Sequence, residues 1–200
     1  MKKIIDLLKK YRLGGMIDII FFMAILLFFH FLYRGTRDIF TSWTFYQEAS
    51  EFLSITAYHW VDTLVKITGI PFESFDFLTV NDHFYKRAFL HYGNLQYGVI
   101  YVSWGCSGLK QFYQWIFLLL LFPGPWKHKL WYIPFGLGVI FVVNVLRIYS
   151  LLIVEMYNSQ YVHFVHDDIV RPFFYVVMFA LWVLWNEKFN IPNKPKKSIE

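Results

Sequence analysis

Apolar residues in this chain are concentrated in long runs, and the length of each run predicts a helix. The first run, residues 16–33, is about as long as a helix that crosses the hydrocarbon core of a bilayer. Bulky Phe and His residues stand where a signal peptide would have small ones, so we predict an uncleaved anchor. Three further apolar segments follow, at residues 109–122, 130–154 and 172–189.

The region between the first run and the second apolar segment has two other patterns. Residues 41–69 carry apolar side chains at helical spacing with acidic and basic residues between them. This pattern predicts an amphipathic helix at the membrane interface or against the bundle, with a tilted, protein-covered span as the alternative. Residues 75–103 are rich in β-branched and aromatic residues around a Tyr-Gly-Asn turn at 92–94, which predicts a small β-hairpin. Because unpaired strands are not tolerated in lipid, we expect the hairpin outside the hydrocarbon.

The composition identifies the predicted bundle as a membrane protein. Hydrophobic residues make up 57% of the chain and charged residues 16%, whereas a soluble domain carries about 25% charge. Aromatic residues reach 22%, which suits a chain partly solvated by lipid. The patterns together predict an all-α membrane protein with about four transmembrane helices, an interfacial helix and a small extracytoplasmic β-hairpin.

The placement of the basic residues predicts the orientation of the helices. The net charge is +5, and basic clusters precede the first span, occupy residues 127–129 and close the chain at 194–197. Four spans put all three clusters on one side, which the positive-inside rule makes the cytoplasm, whereas five spans would separate them. No nucleic-acid motif accompanies these residues, so we expect the lipid bilayer and no nucleic acid as a partner.

This topology divides a single membrane-embedded domain, residues 1–200, into five segments. They are a cytoplasmic basic N-terminus (1–15), a transmembrane anchor (16–33), an extracytoplasmic or interfacial insertion (34–105), a helical core (106–189) and a cytoplasmic basic tail (190–200). The side chains with chemical potential are concentrated in the helical core, close to its predicted outer face.

The chain has one cysteine, Cys106, which therefore cannot form an internal disulfide. It follows Gly105 and precedes Ser107 and Gly108 in a turn that opens a predicted helix. A helix N-terminus favours a thiolate, and its free backbone N–H groups can donate to an oxyanion. The alternatives are a small buried structural cysteine or a lipidation site.

Arg147 and two histidines are predicted to reach the same outer face as the cysteine. Arg147 lies within a span, roughly 10 Å below its outer end, and Asn144 lies one turn below it. An intramembrane arginine indicates a functional site, although it can also be structural and bound to carbonyls or aspartates.

The histidines of the outer loop, His163 and His166, are able to trade protons near neutral pH. They could instead ligate a metal, but no third His or Cys lies nearby, and we predict neither a metal nor a cofactor. The remaining histidines are interpreted as structural, surface or interface residues: His30, His59, His83, His91 and His128.

Three short motifs occur in order over residues 104–174, about a third of the chain. They are Gly-Cys-Ser-Gly-Leu-Lys at 105–110, Asn-Val-Leu-Arg-Ile at 144–148, and His-Asp at 166–167 before an aromatic span. This series resembles the exosortase/archaeosortase family, membrane-embedded cysteine transpeptidases that process proteins with C-terminal sorting signals. The chain departs from the family pattern at Lys110, where the family often has Arg, and at Val170, where it often has Gly.

The resemblance implies a mechanism and a set of residues. Cys106 would attack a substrate carbonyl to form a thioester, His166 would act as acid and base, and Arg147 would stabilise the thiolate or the oxyanion. Residues with supporting or alternative roles are Asn144, which would orient Arg147 or the histidine, His163, which would replace His166, and Ser107, Gly108, Lys110, Asp167 and Arg171.

The resemblance also implies the substrate and the location. The substrates would be proteins with a short motif, a hydrophobic helix and a basic C-terminal end, and the acceptor would be a lipid or glycan of unknown identity. The protein would be a multi-pass protein of the cytoplasmic membrane with its active site facing outward. Two alternatives remain: a protease that uses water as acceptor, and a non-enzymatic subunit of an export or polysaccharide assembly system with a structural Arg147.

Overall fold

The computed structural model of the chain describes residues 14–92 and 97–189, which form helices and one small sheet. We number the main elements in chain order: α1 (Gly14–Ser42), α2 (Thr44–Thr68), β1 (Phe72–Val80), β2 (His83–Tyr92), β3 (Tyr97–Tyr101), α3 (Leu109–Leu121), α4 (Trp126–Tyr157) and α5 (Arg171–Lys188). Short turns of 3-10, α and π helix connect β3 to α3 and α4 to α5.

Three helical segments are long and apolar enough to cross a membrane: Asp18–Ile39, Trp126–Tyr157 and Ser159–Lys188. The fourth predicted span is α3, which has 13 residues and is therefore about 20 Å long, shorter than the hydrocarbon core of about 30 Å. The protein is thus a mostly helical, multi-pass membrane protein, and its four-span topology stays a prediction.

Helices α3 and α4 form an antiparallel hairpin that is fixed at both ends. At one end the Asn144 amide donates to the Cys106 carbonyl over 2.8 Å, and at the other the Lys129 ammonium donates to the Phe122 carbonyl over 2.7 Å. In the middle, a Cβ on Gly136 would overlap the indole ring of Trp115. The hairpin therefore needs a glycine where the Trp115 side chain packs on α4.

Helices α1 and α5 pack antiparallel on the same bundle. The Asn186 amide donates to Asp18 over 3.0 Å, and Phe22 packs against the ring of Trp182. Phe21 also packs against Phe122, in the turn between α3 and α4. We call this end of the bundle, where α1 and α4 begin and α3 and α5 finish, the basic end, and the opposite end the cysteine end.

The buried residues form two clusters, one inside the bundle and one outside it. The bundle cluster is dominated by aromatic residues of α3, α4 and α5, including Trp115, Tyr132, Trp182 and Trp185. The second cluster joins α2 and the sheet to the C-terminal part of α4, and it includes Tyr58, Val61, Phe72, Phe89, Val145 and Leu152. We call α2 and the sheet the cap. The 32 residues of α4, about 48 Å, extend through both clusters.

The cap contains the predicted helix and strands, but the prediction of a two-stranded hairpin is wrong. Helix α2 packs one face against the protein, as expected for an amphipathic helix, and is not among the candidate spans. The sheet has three antiparallel strands in the order β1-β2-β3 rather than two. The additional turn is at Asn81 and Asp82, which both adopt left-handed φ angles, 48° and 62°. The predicted turn at 92–94 falls largely outside the described residues.

Candidate active site

The cysteine lies in a tight turn between the cap and the bundle. A 3-10 turn, Trp104–Cys106, leads into helix α3, and the Cys106 amide donates to the Ser103 carbonyl over 2.9 Å. Gly108 follows with a left-handed φ of 79°, and a Cβ there would lie 3.2 Å from the Asn144 amide group. Glycine is therefore required at position 108 by both the backbone angle and the available space. The turn sets Cys106 at the N-terminal end of α3.

Asn144 and Ser107 stabilise this turn. The fully buried Asn144 amide donates to the Cys106 carbonyl, so α4 holds the cysteine backbone directly. The buried Ser107 hydroxyl accepts a hydrogen bond from the Leu109 amide over 3.3 Å at the start of α3. Asn144 was expected to orient Arg147 or the histidine; the hydrogen bond that the structure gives its amide is to the cysteine turn.

Arg147, His166 and Asp167 form a chain of polar contacts beside the turn. Arg147 is buried on α4, and its Nη2 lies 2.5 Å from His166 Nε2. The other ring nitrogen of His166, Nδ1, lies 2.5 Å from Asp167 Oδ1. A carboxylate at Nδ1 and a guanidinium at Nε2 fit a neutral imidazole that donates to Asp167 and accepts from Arg147. The guanidinium also lies 5.8 Å from the centre of the Phe174 ring.

The two candidate histidines have different environments. The side chain of His166 is 29% exposed and faces Arg147, whereas that of His163 is 90% exposed and lies 3.4 Å from Asp167. His166 is carried by the π-helical turn Val165–Val170, an element that is frequent at functional sites. The geometry therefore favours His166 over His163 as the residue of the site.

Cys106, Arg147 and His166 line one cavity of about 500 Å³. The Ser103 hydroxyl lies 3.6 Å from the Cys106 sulfur, and Lys110 lines the cavity with its ammonium 5.0 Å from the centre of the Tyr33 ring. The remaining lining residues come from α1, the cysteine turn, α3 and α5: His30, Gly105, Gln111, Gln114, Phe174, Tyr175 and Met178. Elements that are distant in sequence thus supply a thiol, an imidazole and a guanidinium to one chamber.

Sequence reasoning missed several polar residues of this cavity. His30 was interpreted as a structural residue within the first span, yet it lines the chamber, as do Ser103, Gln111 and Gln114. The available signal was the presence of polar side chains inside apolar segments, which is costly in a membrane unless they face a cavity or protein.

A partly buried ion pair in the cap was also missed, and it holds the cysteine turn from the other side. Arg87 binds Glu51 through two nitrogens, over 2.6 and 3.2 Å, and donates to the Val102 carbonyl over 3.2 Å. The indole of Trp104, two residues before the cysteine, donates to the same Glu51 carboxylate. The Arg87 hydrogen bonds lower the pKa of Glu51 below its usual value, chiefly by stabilising the carboxylate. Arg87 adopts a left-handed φ of 52° within β2, a strained angle for a residue with a side chain.

Two remaining expectations concern Arg171 and the metal alternative. Arg171 begins α5, and its side chain lies outside the described part of the structure. Within residues 14–92 and 97–189, no group of three or more His, Cys, Asp or Glu side chains is placed to hold a metal ion.

A membrane-embedded helical bundle with a thiol, an imidazole and a guanidinium in one chamber defines a candidate cysteine-dependent membrane enzyme. A family model described as transmembrane exosortase matches residues 17–183 of the chain. The match extends far beyond the three motifs of the sequence analysis and covers most of the chain. The protein therefore belongs to the transmembrane exosortase family. No curated protein and no solved structure is significantly similar to it.

Proposed function

We propose that this protein is a cysteine transpeptidase that cleaves the C-terminal sorting signal of partner proteins and transfers them to an acceptor. The observation that carries the proposal is the single cavity lined by Cys106, Arg147 and His166. Membership of the exosortase family supports the same chemistry. The resemblance of the three motifs to the family pattern implies these three residues.

In the first half of the reaction, the thiol of Cys106 loses its proton to His166, and the sulfur attacks the carbonyl carbon of the substrate. A C–S bond forms and the carbonyl oxygen becomes an oxyanion, which Arg147 stabilises as a fixed positive charge. His166 then gives its proton to the leaving amine as the C–N bond breaks. The product is a thioester on Cys106, and the tail leaves with a new amino terminus.

In the second half, the acceptor replaces the thiol. His166 takes a proton from the hydroxyl or amine of the acceptor, which attacks the thioester carbon and releases Cys106. Asp167, 2.5 Å from His166 Nδ1, fixes the ring orientation and stabilises the imidazolium that forms in both halves. Because Arg147 donates to the same Nε2 lone pair that must accept the thiol proton, Arg147 turns from His166 towards the substrate carbonyl before the proton transfer. Repulsion between the imidazolium and the guanidinium then keeps the two cations apart.

We also propose that the cysteine end faces the outside of the cytoplasmic membrane. The basic end of the bundle contains the described residues that adjoin the three basic clusters. They are Asp18, the start of the helix Trp126–Tyr157 and Lys188. Basic residues favour the cytoplasmic side. The cap then forms an extracytoplasmic cover beside Cys106, joined to it through Trp104 and Glu51.

The test compares the C-termini of membrane proteins in cells that make wild-type protein or Cys106→Ala at equal abundance. We expect at least one protein to lose a C-terminal segment containing an apolar helix only in the wild-type cells. Cys106→Ser should behave like Cys106→Ala, because a hydroxyl is a far poorer nucleophile near neutral pH. Identical C-termini in all three strains would refute the proposal.

A thiol probe separates the enzyme from a non-enzymatic membrane subunit. An iodoacetamide–alkyne reagent should label Cys106 in intact membranes, since the thiol lines an open chamber. Replacement of Arg147 by Met should slow the labelling more than replacement of the exposed His163 by Ala. If the reagent does not label Cys106, the non-enzymatic subunit is favoured. A cleaved product that ends in a free carboxylate would favour a protease over a transpeptidase.

A further inference from the structure

Two apolar grooves border helix α1, and they differ in their relation to the catalytic cavity. One, of about 500 Å³, lies between α1 and α5. The other, of about 430 Å³, is lined by residues of α1, α2 and α3 and by Trp43. Both are lined mainly by aromatic and aliphatic side chains, so apolar character alone does not distinguish them.

The α1/α5 groove is continuous with the catalytic cavity. His30 and Tyr175 line both spaces, and every other lining residue of the groove is apolar: Phe22, Met23, Leu26, Leu27, Val176 and Phe179. The second groove shares none of its described lining residues with the cavity. There the Tyr33 and Tyr46 hydroxyls lie 3.0 Å apart, and Lys110 packs on the Tyr33 ring between the groove and the chamber.

The shape of the α1/α5 groove follows from where the two helices meet. Their described contacts lie towards the basic end, where Asp18 pairs with Asn186 and Phe22 packs against Phe179. Two turns further along α1, His30 is exposed, and Tyr175 on α5 is 42% exposed. The two helices therefore leave a cleft that opens into the chamber. From Phe22 to His30 it extends about 12 Å, or roughly two helical turns.

His30 indicates what kind of molecule fits the cleft. Both walls belong to candidate membrane spans, so the groove faces the bilayer, and a polar imidazole exposed to lipid tails is costly. An acyl chain offers the imidazole no hydrogen bond. A polypeptide in this environment must be helical, and the first turn of a helix has backbone N–H groups without intrahelical partners. A neutral imidazole can accept from such a group.

We propose that the α1/α5 groove binds the apolar helix of the protein that is cleaved at Cys106, with the first turn of that helix beside His30. This inference rests on the proposed function. The residues before the helix then enter the chamber through the gap between His30 and Tyr175, in extended form, and the scissile bond reaches the Cys106 sulfur. The apolar helix remains in the groove and leaves with the released tail.

Photo-crosslinking tests this placement in the full-length protein within native membranes. A benzophenone amino acid is introduced at Val176 in the α1/α5 groove or at Leu120 in the second groove, each in a Cys106→Ala background. Both side chains are exposed, at 61% and 43%, so the two sites form a matched pair. Adducts are identified by mass spectrometry and compared with the proteins whose tails are cleaved only by the wild type.

We expect the Val176 probe to crosslink the apolar C-terminal helix of a cleaved protein and the Leu120 probe to crosslink lipid. Adducts to lipid alone at Val176 would overturn the docking proposal, and so would adducts to the substrate helix at Leu120 instead. If the wild type still cleaves tails in either case, the proposed function stays intact. A wild type that cleaves no tail, with lipid adducts at both sites, would contradict both.

A blocking pair gives a second readout. Val176→Trp fills the groove without disturbing the buried core, and Leu120→Trp adds the same bulk to the other groove. We expect Val176→Trp to lower tail cleavage by about tenfold, while a small iodoacetamide reagent still labels Cys106 at the wild-type rate. Equal cleavage by both variants would overturn the proposal, because an occupied groove cannot accept an indole without loss of binding.

Discussion

Each end of helix α3 lies beside a buried cation of α4, but the groups that the two cations face are different. At the basic end, Lys129 donates to the carbonyls of Phe122 and Leu120 over 2.7 and 3.4 Å, where α3 finishes. At the cysteine end, Arg147 contacts His166 and shares a cavity with Cys106, where α3 begins. Lys129 and Arg147 are almost equally buried, at 3% and 7% exposure.

The difference between the two ends lies in what each cation faces. A lysine at a helix C-terminus satisfies backbone carbonyls and the negative end of the helix dipole, so its role is structural. An arginine that faces an imidazole and an open chamber can act on a group that reacts there. Burial of a charge in a membrane span therefore indicates function only when the charge faces a cavity.

A large effect should come from changing Arg147 without removing its charge. Arg147→Lys loses the planar fork, so we expect tail cleavage to fall about 10²-fold or more while membrane abundance stays normal. Cleavage is measured against abundance for this variant and for Lys129→Arg, which keeps a donor for the helix carbonyls. If the Arg147→Lys protein is lost from the membrane, Arg147 has a structural role, as Lys129 has at the other end of α3.

The histidine pair sharpens the definition of the cysteine end. His166→Ala should lower tail cleavage by about 10²- to 10⁴-fold, because it removes the proton carrier, whereas His163→Ala should stay close to the wild type. Both variants are assayed at matched abundance with the same substrate. If His163→Ala lowered tail cleavage more than His166→Ala, His163 would be the acid and base in place of His166.

The basic end should respond in stability rather than in chemistry. Lys129→Met keeps much of the side-chain length but leaves the carbonyls at the end of α3 without their donor, so we expect a loss of about 1–3 kcal/mol. Thermal unfolding in detergent measures this loss, and the labelling rate of Cys106 per folded molecule should be unchanged. Slower labelling in a fully folded Lys129→Met protein would contradict the separation of the two ends.

The smallest effect concerns the ion pair in the cap. The hydrogen bonds from Arg87 lower the pKa of the Glu51 carboxyl in the folded state. The ion pair therefore stabilises the folded state fully at pH values above the unfolded pKa of about 4.3. This stabilisation is lost as the pH falls through the lower, folded pKa. Glu51 is partly exposed, so we expect Glu51→Gln to cost below about 1 kcal/mol near neutral pH.

The pH dependence supplies the control for this variant. The stability difference between the wild type and Glu51→Gln should shrink as the pH falls below about 4, whereas Glu48→Gln on the exposed side of α2 should show no such trend. Since Trp104 also donates to Glu51, Cys106 labelling should slow slightly in Glu51→Gln alone. A difference that grows on acidification would contradict the ion-pair account.

The sequence predicted the helices and the groups of the cysteine end because polar residues in apolar segments are conspicuous. Arg147 stands out in this way, whereas Cys106 is marked by its glycine-flanked turn and His166 by its place in the outer loop. The structure brings the three to one cavity, while their catalytic roles stay a prediction. The family also followed from the motifs that carry them. Local patterns were sufficient for these features, since each depends on residues close together in the chain.

The features that the sequence did not reveal depend on contacts between distant residues. Arg87 and Glu51 are 36 positions apart, and neither is unusual in its own segment. The contact of the Asn144 amide with the cysteine turn depends on the crossing of α3 and α4, which periodicity does not specify. The third strand is the exception, because Asn81 and Asp82 between two strand-like runs are themselves a local turn signal that could have revealed it.

The most direct test of the account is capture of the acyl group on Cys106. Membranes containing the enzyme and a cleaved partner are incubated with hydroxylamine, which reacts with thioesters, and the new C-terminus of the partner is analysed by mass spectrometry. We expect a C-terminal hydroxamate with wild-type protein and an uncut tail with Cys106→Ala. Tail removal by Cys106→Ala at normal abundance would contradict it, since the thiol would then have no part in the cleavage.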